Sequence, residues 1–159
     1  MIHIELERVE GDYGFEAKDA NGHLVRIDSS LENGGTNFGV RPMQLLLMGL
    51  GACSGIDIVS ILKKQRIDVK GFSMKVEGER ESGTGGPTLW KTAHVIFELA
   101  GDIDPVKARR ACDLSMEKYC SVAETLRHGG TSALSCGGLR YEVGGGAGSG
   151  GQHAIPRSG

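Results

Sequence analysis

The segment from Arg41 to Gln65, RPMQLLLMGLGACSGIDIVSILKKQ, constrains the fold of this chain most, because its middle is almost wholly apolar or small. Pro42 is typical of the first turn of a helix. Lys63 and Lys64 complement the dipole at a helix C-terminus. The segment therefore predicts one helix that runs to about Gln65. A helix that is apolar on every face is either buried by the rest of a fold or lies in a membrane.

A membrane span is the less favoured interpretation of this helix. The eighteen residues from Leu45 to Leu62 are enough to cross a bilayer. Asp57 lies among them, however, and an aspartate inside a span costs about 2.5–3.5 kcal/mol on insertion scales. We therefore expect a central helix with no membrane contact. Its glycines would let a strand, or a second copy of the helix, approach closely.

Length and composition indicate a soluble globular protein of one domain. The chain has 159 residues, of which 39% are hydrophobic and 24% charged. A net charge of -2 and the lack of a basic run argue against nucleic-acid binding. The N-terminal residues are acidic and have no apolar core, so no secretory signal is expected. Four cysteines are too sparse for a disulfide framework, which favours a cytoplasmic location.

The order of elements predicts an α+β fold with a mainly antiparallel sheet. Alternating apolar residues at 2–6 indicate a half-buried first strand. A second helix is expected from an Asp104 N-cap to about Tyr119, with further helical turns to Arg127. The domain is predicted to span residues 1–143, and the glycine-rich residues 144–159 to form a flexible tail. Other strands are predicted within 15–30, around an Asn21-Gly22 turn, and at 69–80, 89–101 and 131–143.

Cys53 and Asp57 lie one turn apart on the apolar helix and so share one face. Cys53 by itself indicates little, since a buried free cysteine usually packs as a small hydrophobic residue. Asp57 needs partners if it is buried. We expect it to cap or pair with a neighbouring segment, an interpretation that the residues alone favour over a catalytic role.

The other cysteines restrict which thiols can pair. Cys112 and Cys120 are eight residues apart on one predicted helix, about 12 Å, too far for a disulfide. Any redox pair must therefore bridge distant elements. Cys120 precedes the helical segment SVAETLR, where a helix N-terminus can lower a thiol pKa. Cys112 and Cys136 are interpreted as packing residues.

Local spacing predicts no metal site and no cofactor. The sequence has no CxxC and no HxxxH, and its five histidines are scattered.

Two segments together resemble the OsmC/Ohr family, the osmotically inducible and organic-hydroperoxide-resistance proteins. They are RPMQLLLMGLGACSGIDIVSIL and, about sixty residues later, DLSMEKYCSVAETL. The resemblance covers residues 1–143. It implies an intertwined homodimer in which long central helices pack on curved antiparallel sheets, with the active sites at the dimer interface.

The resemblance also implies a thiol peroxidase that reduces organic hydroperoxides. Cys53 matches the peroxidatic cysteine and Cys120 the resolving cysteine of the family. An apolar pocket beside the first thiol would favour organic peroxides, and an external dithiol would reduce the resulting disulfide. The alternative is a redox-sensing or small-molecule-binding protein on the same scaffold, and a third possibility is a structural module in which Cys53 only packs.

The sequence departs from the family pattern at two positions. Met43 stands where the family has a glutamate that pairs with an activating arginine, and Ser121 replaces a proline after Cys120. Arg8 and Arg26 are the candidates for that arginine. Asp57 is interpreted as a possible substitute that orients the arginine or the substrate.

Overall fold

The structure, a computed structural model, describes residues 1–83, 85–142 and 153–154. The chain divides into two compact units, Met1–Leu46 and Leu47–Gly159. Each unit contains one sheet. The predicted domain boundary at 143 lies outside the described residues, as does the predicted flexible tail, except for a strand of two residues at 153–154.

The N-terminal unit contains a three-stranded antiparallel sheet in the order β1, β2, β3. The strands are Ile4–Glu10, Gly14–Asp19 and Leu24–Ile27. The predicted turn joins the last two, and Gly22 has a φ of 85° there, which glycine adopts without steric cost. The side chain of Asp19 accepts the backbone N–H groups of Asn21 and His23 within this turn, which stabilises the turn.

The first strand differs from its prediction. Alternation predicted a half-buried strand, yet all seven residues of β1 are exposed. Ile4 and Leu6 have 55% and 59% of their surface open to solvent. The alternation is present, but none of the described residues buries the apolar face of this strand.

Helix α1, Pro42–Lys64, is long and apolar enough to cross a membrane by length and composition alone. Within the C-terminal unit it packs on a strand instead. A β-carbon added at Gly51 would lie 2.9 Å from Val76 Cγ2, and one added at Gly55 would lie 2.6 Å from Met74 Sδ. Gly51 and Gly55 therefore allow the strand that contains Met74 and Val76 to approach the helix closely. Close approach of a strand was one of the two predicted roles of the helix glycines.

The C-terminal unit has a four-stranded sheet in the order β4, β5, β6, β7. These strands are Gly71–Arg80, Trp90–Ala100, Ala133–Glu142 and His153–Ala154. The pairs β4–β5 and β6–β7 are antiparallel, whereas β5–β6 is parallel. Alternate residues of β5 are buried and form the centre of the core, among them Val95 and Phe97.

Three helical segments connect β5 to β6. Helix α2, Pro105–Leu114, begins as predicted, because the Asp104 carboxylate accepts the Val106 N–H at 2.8 Å. The predicted continuation to Tyr119 is a π-helical turn, Ser115–Tyr119. Helix α3, Ser121–His128, follows it. The predicted α+β fold, with antiparallel sheets and a long central helix, is thus confirmed, with one parallel pair added.

Candidate functional site

Three side chains from two distant segments converge in the C-terminal unit. The sulfur atoms of Cys53 and Cys120 and a carboxylate oxygen of Asp57 all lie within 4.8 Å of one another. Cys53 and Asp57 are half-buried on α1, and Cys120 lies between the π-helical turn and α3. The two cysteines that the resemblance paired are thus brought together.

The backbone around Cys120 explains how its sulfur reaches this place. The Cys120 N–H donates to the Ser115 carbonyl at 2.9 Å, the hydrogen bond that closes the π-helical turn. Cys120 then adopts an extended conformation and serves as the N-cap of α3. Such π-helical turns occur frequently at functional sites. Here the turn interrupts the helix and allows the Cys120 thiol to face α1.

The predicted effect of the helix N-terminus on Cys120 is outweighed by burial. The Cys120 sulfur does accept the Ala123 N–H at 3.4 Å, an interaction that favours the thiolate. Only 3% of the residue is exposed, however, and desolvation raises the pKa of Cys120 to about 11. The neighbouring Cys53 thiol contributes a smaller part of the same rise. Cys120 therefore rests as a thiol at neutral pH.

Asp57 meets a polar side chain from α2's C-terminal end. The Ser115 hydroxyl lies 3.1 Å from the Ser54 carbonyl and 3.3 Å from Asp57 Oδ2. Ser115 is completely buried. The expectation that Asp57 pairs with a neighbouring segment is therefore met by Ser115, which links α1 to the segment that carries Cys120.

A disulfide between Cys53 and Cys120 needs only a small movement. Disulfide sulfurs are about 2.05 Å apart, so the present separation of at most 4.8 Å would close by less than about 3 Å. All four cysteines are free thiols in this structure. Because Cys120 lies at an irregular junction rather than inside a helix, its backbone is the part best able to supply this movement.

The two remaining cysteines form a second thiol pair. Cys112 of α2 is hydrogen-bonded to Cys136 of β6 and is completely buried. That hydrogen bond, together with burial, strongly raises the pKa of the Cys112 thiol. A thiol held in its protonated form is a poor nucleophile. This agrees with the interpretation of Cys112 as a packing residue.

A pocket of about 510 Å³ opens to solvent beside Cys120. Its lining is of mixed polarity and is contributed by the π-helical turn and α3. Unlike the apolar pocket expected beside Cys53, it carries several polar and charged side chains. The lining residues are Lys118, Tyr119, Cys120, Ser121, Glu124, Thr125 and His128.

The predicted arginines lie in the N-terminal unit, and their role toward Cys53 stays a prediction. Arg26 donates to Glu16 at 3.3 Å and lies over the Phe38 ring. Arg8 is on β1, opposite Phe15.

Near the start of α1, Met43 is half-buried; the resemblance compares this position with a glutamate. The amide of Gln44 accepts the Arg41 N–H at 3.0 Å. Gln44 thus caps the start of the helix. Its side-chain oxygen is used in this hydrogen bond at the helix N-terminus.

Ser115 was missed by the sequence reasoning, although a signal for it exists. Ala108, Ala111 and Cys112 form the buried stripe of α2, and Ser115 continues that stripe at helical spacing. A hydroxyl in an apolar stripe must find an acceptor. The pattern therefore marks Ser115 as a residue with a specific partner, although it cannot identify Asp57.

Comparison with known proteins agrees with this architecture. Residues 33–134 match the sequence profile of the family described as OsmC-like protein. Protein YhfA of Escherichia coli strain K12 is 40% identical over 123 residues, which cover 77% of this chain and 87% of YhfA.

Two solved structures illustrate the similarity in fold. A hypothetical protein from Aquifex aeolicus VF5 is 27% identical with a TM-score of 0.72, covering 89% of this chain and 98% of its own. The organic hydroperoxide resistance protein OhrB of Bacillus subtilis has a TM-score of 0.60 at 18% identity. The match covers 89% of this chain and 97% of OhrB. At that identity the likeness to OhrB concerns the fold alone.

Proposed function

This chain is a member of the OsmC-like protein family, and we propose that it is a thiol-dependent peroxidase that reduces organic hydroperoxides in defence against oxidative stress. One observation carries the proposal. The two cysteines that resemble the family's reactive pair, Cys53 and Cys120, have their sulfurs within 4.8 Å of each other. The family includes proteins of organic hydroperoxide resistance, whose names supply the substrate class.

The proposed cycle begins at Cys53. Its thiolate attacks the O–O bond of the hydroperoxide, which forms a cysteine sulfenic acid and releases the alkoxide, protonated to the alcohol. The Cys120 thiol then attacks the sulfenic sulfur, which forms the disulfide and releases water. An external dithiol reduces the disulfide by exchange and leaves as its own cyclic disulfide. No resident cofactor takes part in these steps.

The surroundings of the two thiols suit these roles. Cys53 is half-buried and so remains accessible to a peroxide, whereas Cys120 is buried and protonated until the sulfenic acid forms beside it. The pocket lined by Cys120 would offer the dithiol reductant an approach to the disulfide. Asp57, held near both sulfurs by Ser115, would orient the substrate or an arginine.

The same proposal includes a homodimer. Four residues of α1 lie on one face at helical spacing and are exposed, namely Met48, Ala52, Ile56 and Val59. Ile56 alone has 68% of its surface open to solvent. A contiguous exposed apolar face of this kind marks an interaction surface. A second copy of α1 supplies a surface of matching shape and chemistry.

We place the protein in the cytoplasm, where cellular reductants keep thiols reduced between cycles. The packing of α1 on β4 and the presence of Asp57 favour a core helix over a membrane span. We expect neither membrane nor nucleic-acid partners.

Titration of the reduced protein with cumene hydroperoxide tests the proposal. Free thiols are counted after each addition, and a dithiol such as dihydrolipoamide is then supplied in excess. We expect loss of two thiols per equivalent of peroxide, full recovery with the dithiol, and many turnovers. Cys53→Ser should abolish turnover, while Cys112→Ser serves as a control that retains it.

The alternative, a redox sensor or small-molecule-binding protein without efficient turnover, predicts a different result. It would lose the thiols once, in a stoichiometric reaction, and the dithiol would not sustain consumption of peroxide. A protein that loses no thiols under these conditions would contradict both proposals and leave Cys53 as a packing residue.

A further inference from the structure

The group formed by Cys53, Asp57 and Cys120 has the composition of a metal site as well as of a redox pair. Two thiols and one carboxylate point to a common centre, and each can give one ligand atom. Thiolate ligands select thiophilic cations, and zinc accepts sulfur together with carboxylate oxygen. Local spacing in the sequence did not predict such a site, because the ligands come from segments 63 residues apart, from Asp57 to Cys120.

The distances are close to those of a tetrahedral site. Zn–S bonds of about 2.3 Å and Zn–O bonds of about 2.0–2.2 Å place neighbouring ligand atoms about 3.5–3.8 Å apart. The three atoms here lie within 4.8 Å of one another, so a movement of about 1 Å brings them to a common ion. The fourth position would remain for a water molecule or another ligand.

Further contacts hold two of the ligands in place. The Ser115 hydroxyl reaches Asp57 Oδ2 at 3.3 Å, and the Ala123 N–H donates to the Cys120 sulfur at 3.4 Å. Outer hydrogen bonds of this kind orient metal ligands and contribute substantially to affinity. Both contacts are already formed without a metal ion.

We propose that the reduced Cys53–Cys120 pair, together with Asp57, binds one thiophilic divalent cation of the zinc class. Metal binding and oxidation then exclude each other, because the cation occupies both sulfurs and a disulfide removes both ligands. Binding itself does not require peroxidase activity. Only the consequence, that the cation inhibits peroxide reduction reversibly, rests on the proposed function.

Cobalt provides a spectroscopic probe of the site. The reduced, metal-free protein is titrated with Co²⁺ without oxygen, and Zn²⁺ is then added as a competitor. We expect one Co²⁺ per chain, sulfur-to-cobalt charge-transfer absorption and the visible bands of tetrahedral Co²⁺, all removed by Zn²⁺. In Cys53→Ser and in Cys120→Ser one of the two thiolates is removed, so the charge-transfer absorption should fall to half or less, and the control Cys112→Ser should keep it in full.

Asp57 is tested separately. Asp57→Asn should weaken Zn²⁺ binding at least about tenfold, as loss of ligand support does in other zinc sites. Unchanged affinity in this variant would overturn the three-ligand site. Charge-transfer absorption at full intensity in Cys53→Ser, or its loss in Cys112→Ser, would also overturn it.

A measurement on the unmodified chain avoids any folding defect of the variants. Saturating Zn²⁺ should slow alkylation of Cys53 by iodoacetamide at least about tenfold, and a chelator should restore the rate; an unchanged rate would contradict the proposal. Peroxide turnover measured with the chelator present is independent of metal binding. Peroxide turnover without cobalt binding would contradict the proposed metal site alone. Cobalt binding without peroxide turnover would contradict the proposed peroxidase activity alone.

Discussion

The two sulfur atoms of the site have unlike surroundings, and this difference supports the order of reaction in the proposed cycle. Cys53 lies in the middle of α1 and is half-buried, whereas Cys120 caps α3, is 3% exposed and has a pKa raised to about 11. In the proposed cycle a hydroperoxide would therefore meet Cys53 first. Cys120 would act second, on a sulfur that already lies beside it.

At the same scale, much of the site could not be predicted from individual residues. Cys53 alone is compatible with packing, and only the resemblance of two whole segments connected it with Cys120. The link between Asp57 and Ser115, and the pairing of Cys112 with Cys136, depend on tertiary contacts that leave no local pattern.

A titration of His23 tests the electrostatics of the N-terminal unit. The hydrogen bond that the His23 ring donates to the Asp19 carboxylate raises the pKa of His23, and the same bond is the largest cause that lowers the pKa of Asp19 to about 2. The stabilisation from His23 is therefore present below its unfolded pKa of about 6.5 and is lost as the pH rises through the raised value. The contribution of Asp19 is present above its unfolded pKa and is lost as the pH falls through about 2.

The pKa of His23 can be followed by NMR from the chemical shift of its ring protons. We expect a value above 6.5 in the unmodified chain and a lower one in Asp19→Asn, with Asp12→Asn as an exposed control that leaves it unchanged. Equal values in the unmodified chain and in Asp19→Asn would contradict the assigned hydrogen bond.

At the scale of elements, the small residues of α1 determine how closely the helix approaches β4. A methyl group at Gly51 would meet the stiff side chain of Val76 at 2.9 Å, whereas one at Gly49 would meet Val122 at an ordinary 3.9 Å. The two glycines lie on the same helix but face different amounts of space. The contact between Gly51 and Val76 therefore limits how closely α1 can approach β4.

Replacement of these glycines measures that contact. Overpacking costs about 1–3 kcal/mol, and replacing a helical glycine with alanine returns about 0.5–1 kcal/mol. We expect Gly51→Ala to lower the free energy of unfolding and Gly49→Ala to leave it unchanged or raise it slightly, as measured by urea denaturation. Equal effects of the two substitutions would contradict the packing described.

The elements themselves were largely predictable, and their exceptions have physical causes. The Asp104 cap, the glycine turn after Asn21 and the extent of α1 all follow from local chemistry. The π-helical turn at Ser115–Tyr119 does not, because its sequence is compatible with an ordinary helix. The parallel pairing of β5 with β6 likewise depends on the crossover by α2 and α3, which no single segment specifies.

At the scale of the whole molecule, the single chain leaves apolar surfaces exposed to solvent. The face of α1 that contains Met48, Ile56 and Val59 is open to solvent, as is the apolar side of β1. Alternation and helical spacing correctly identify these as faces that require burial. They do not identify what covers each face, so β1 was predicted to be half-buried and is exposed in the structure. For the face of α1 we propose a second copy of the chain as the cover.

Substitution of Ile56 tests the proposed dimer. Gel filtration with light scattering should give twice the chain mass of 16.8 kDa, and Ile56→Glu should shift the protein to a single chain. Val106→Glu is the matched control, because Val106 is an aliphatic residue that is 75% exposed and lies on α2, not on α1. An unmodified protein that elutes as one chain at micromolar concentration would contradict the dimer.

The most direct test of the central claim is to identify which cysteines oxidise together. The reduced protein is treated with one equivalent of cumene hydroperoxide, remaining thiols are alkylated, and the peptides are analysed by mass spectrometry without reduction. We predict a disulfide between Cys53 and Cys120, with Cys112 and Cys136 both alkylated once the chain is unfolded, and sulfenic acid trapped at Cys53 in Cys120→Ser. A disulfide between Cys112 and Cys136 with Cys53 still reduced would contradict the account.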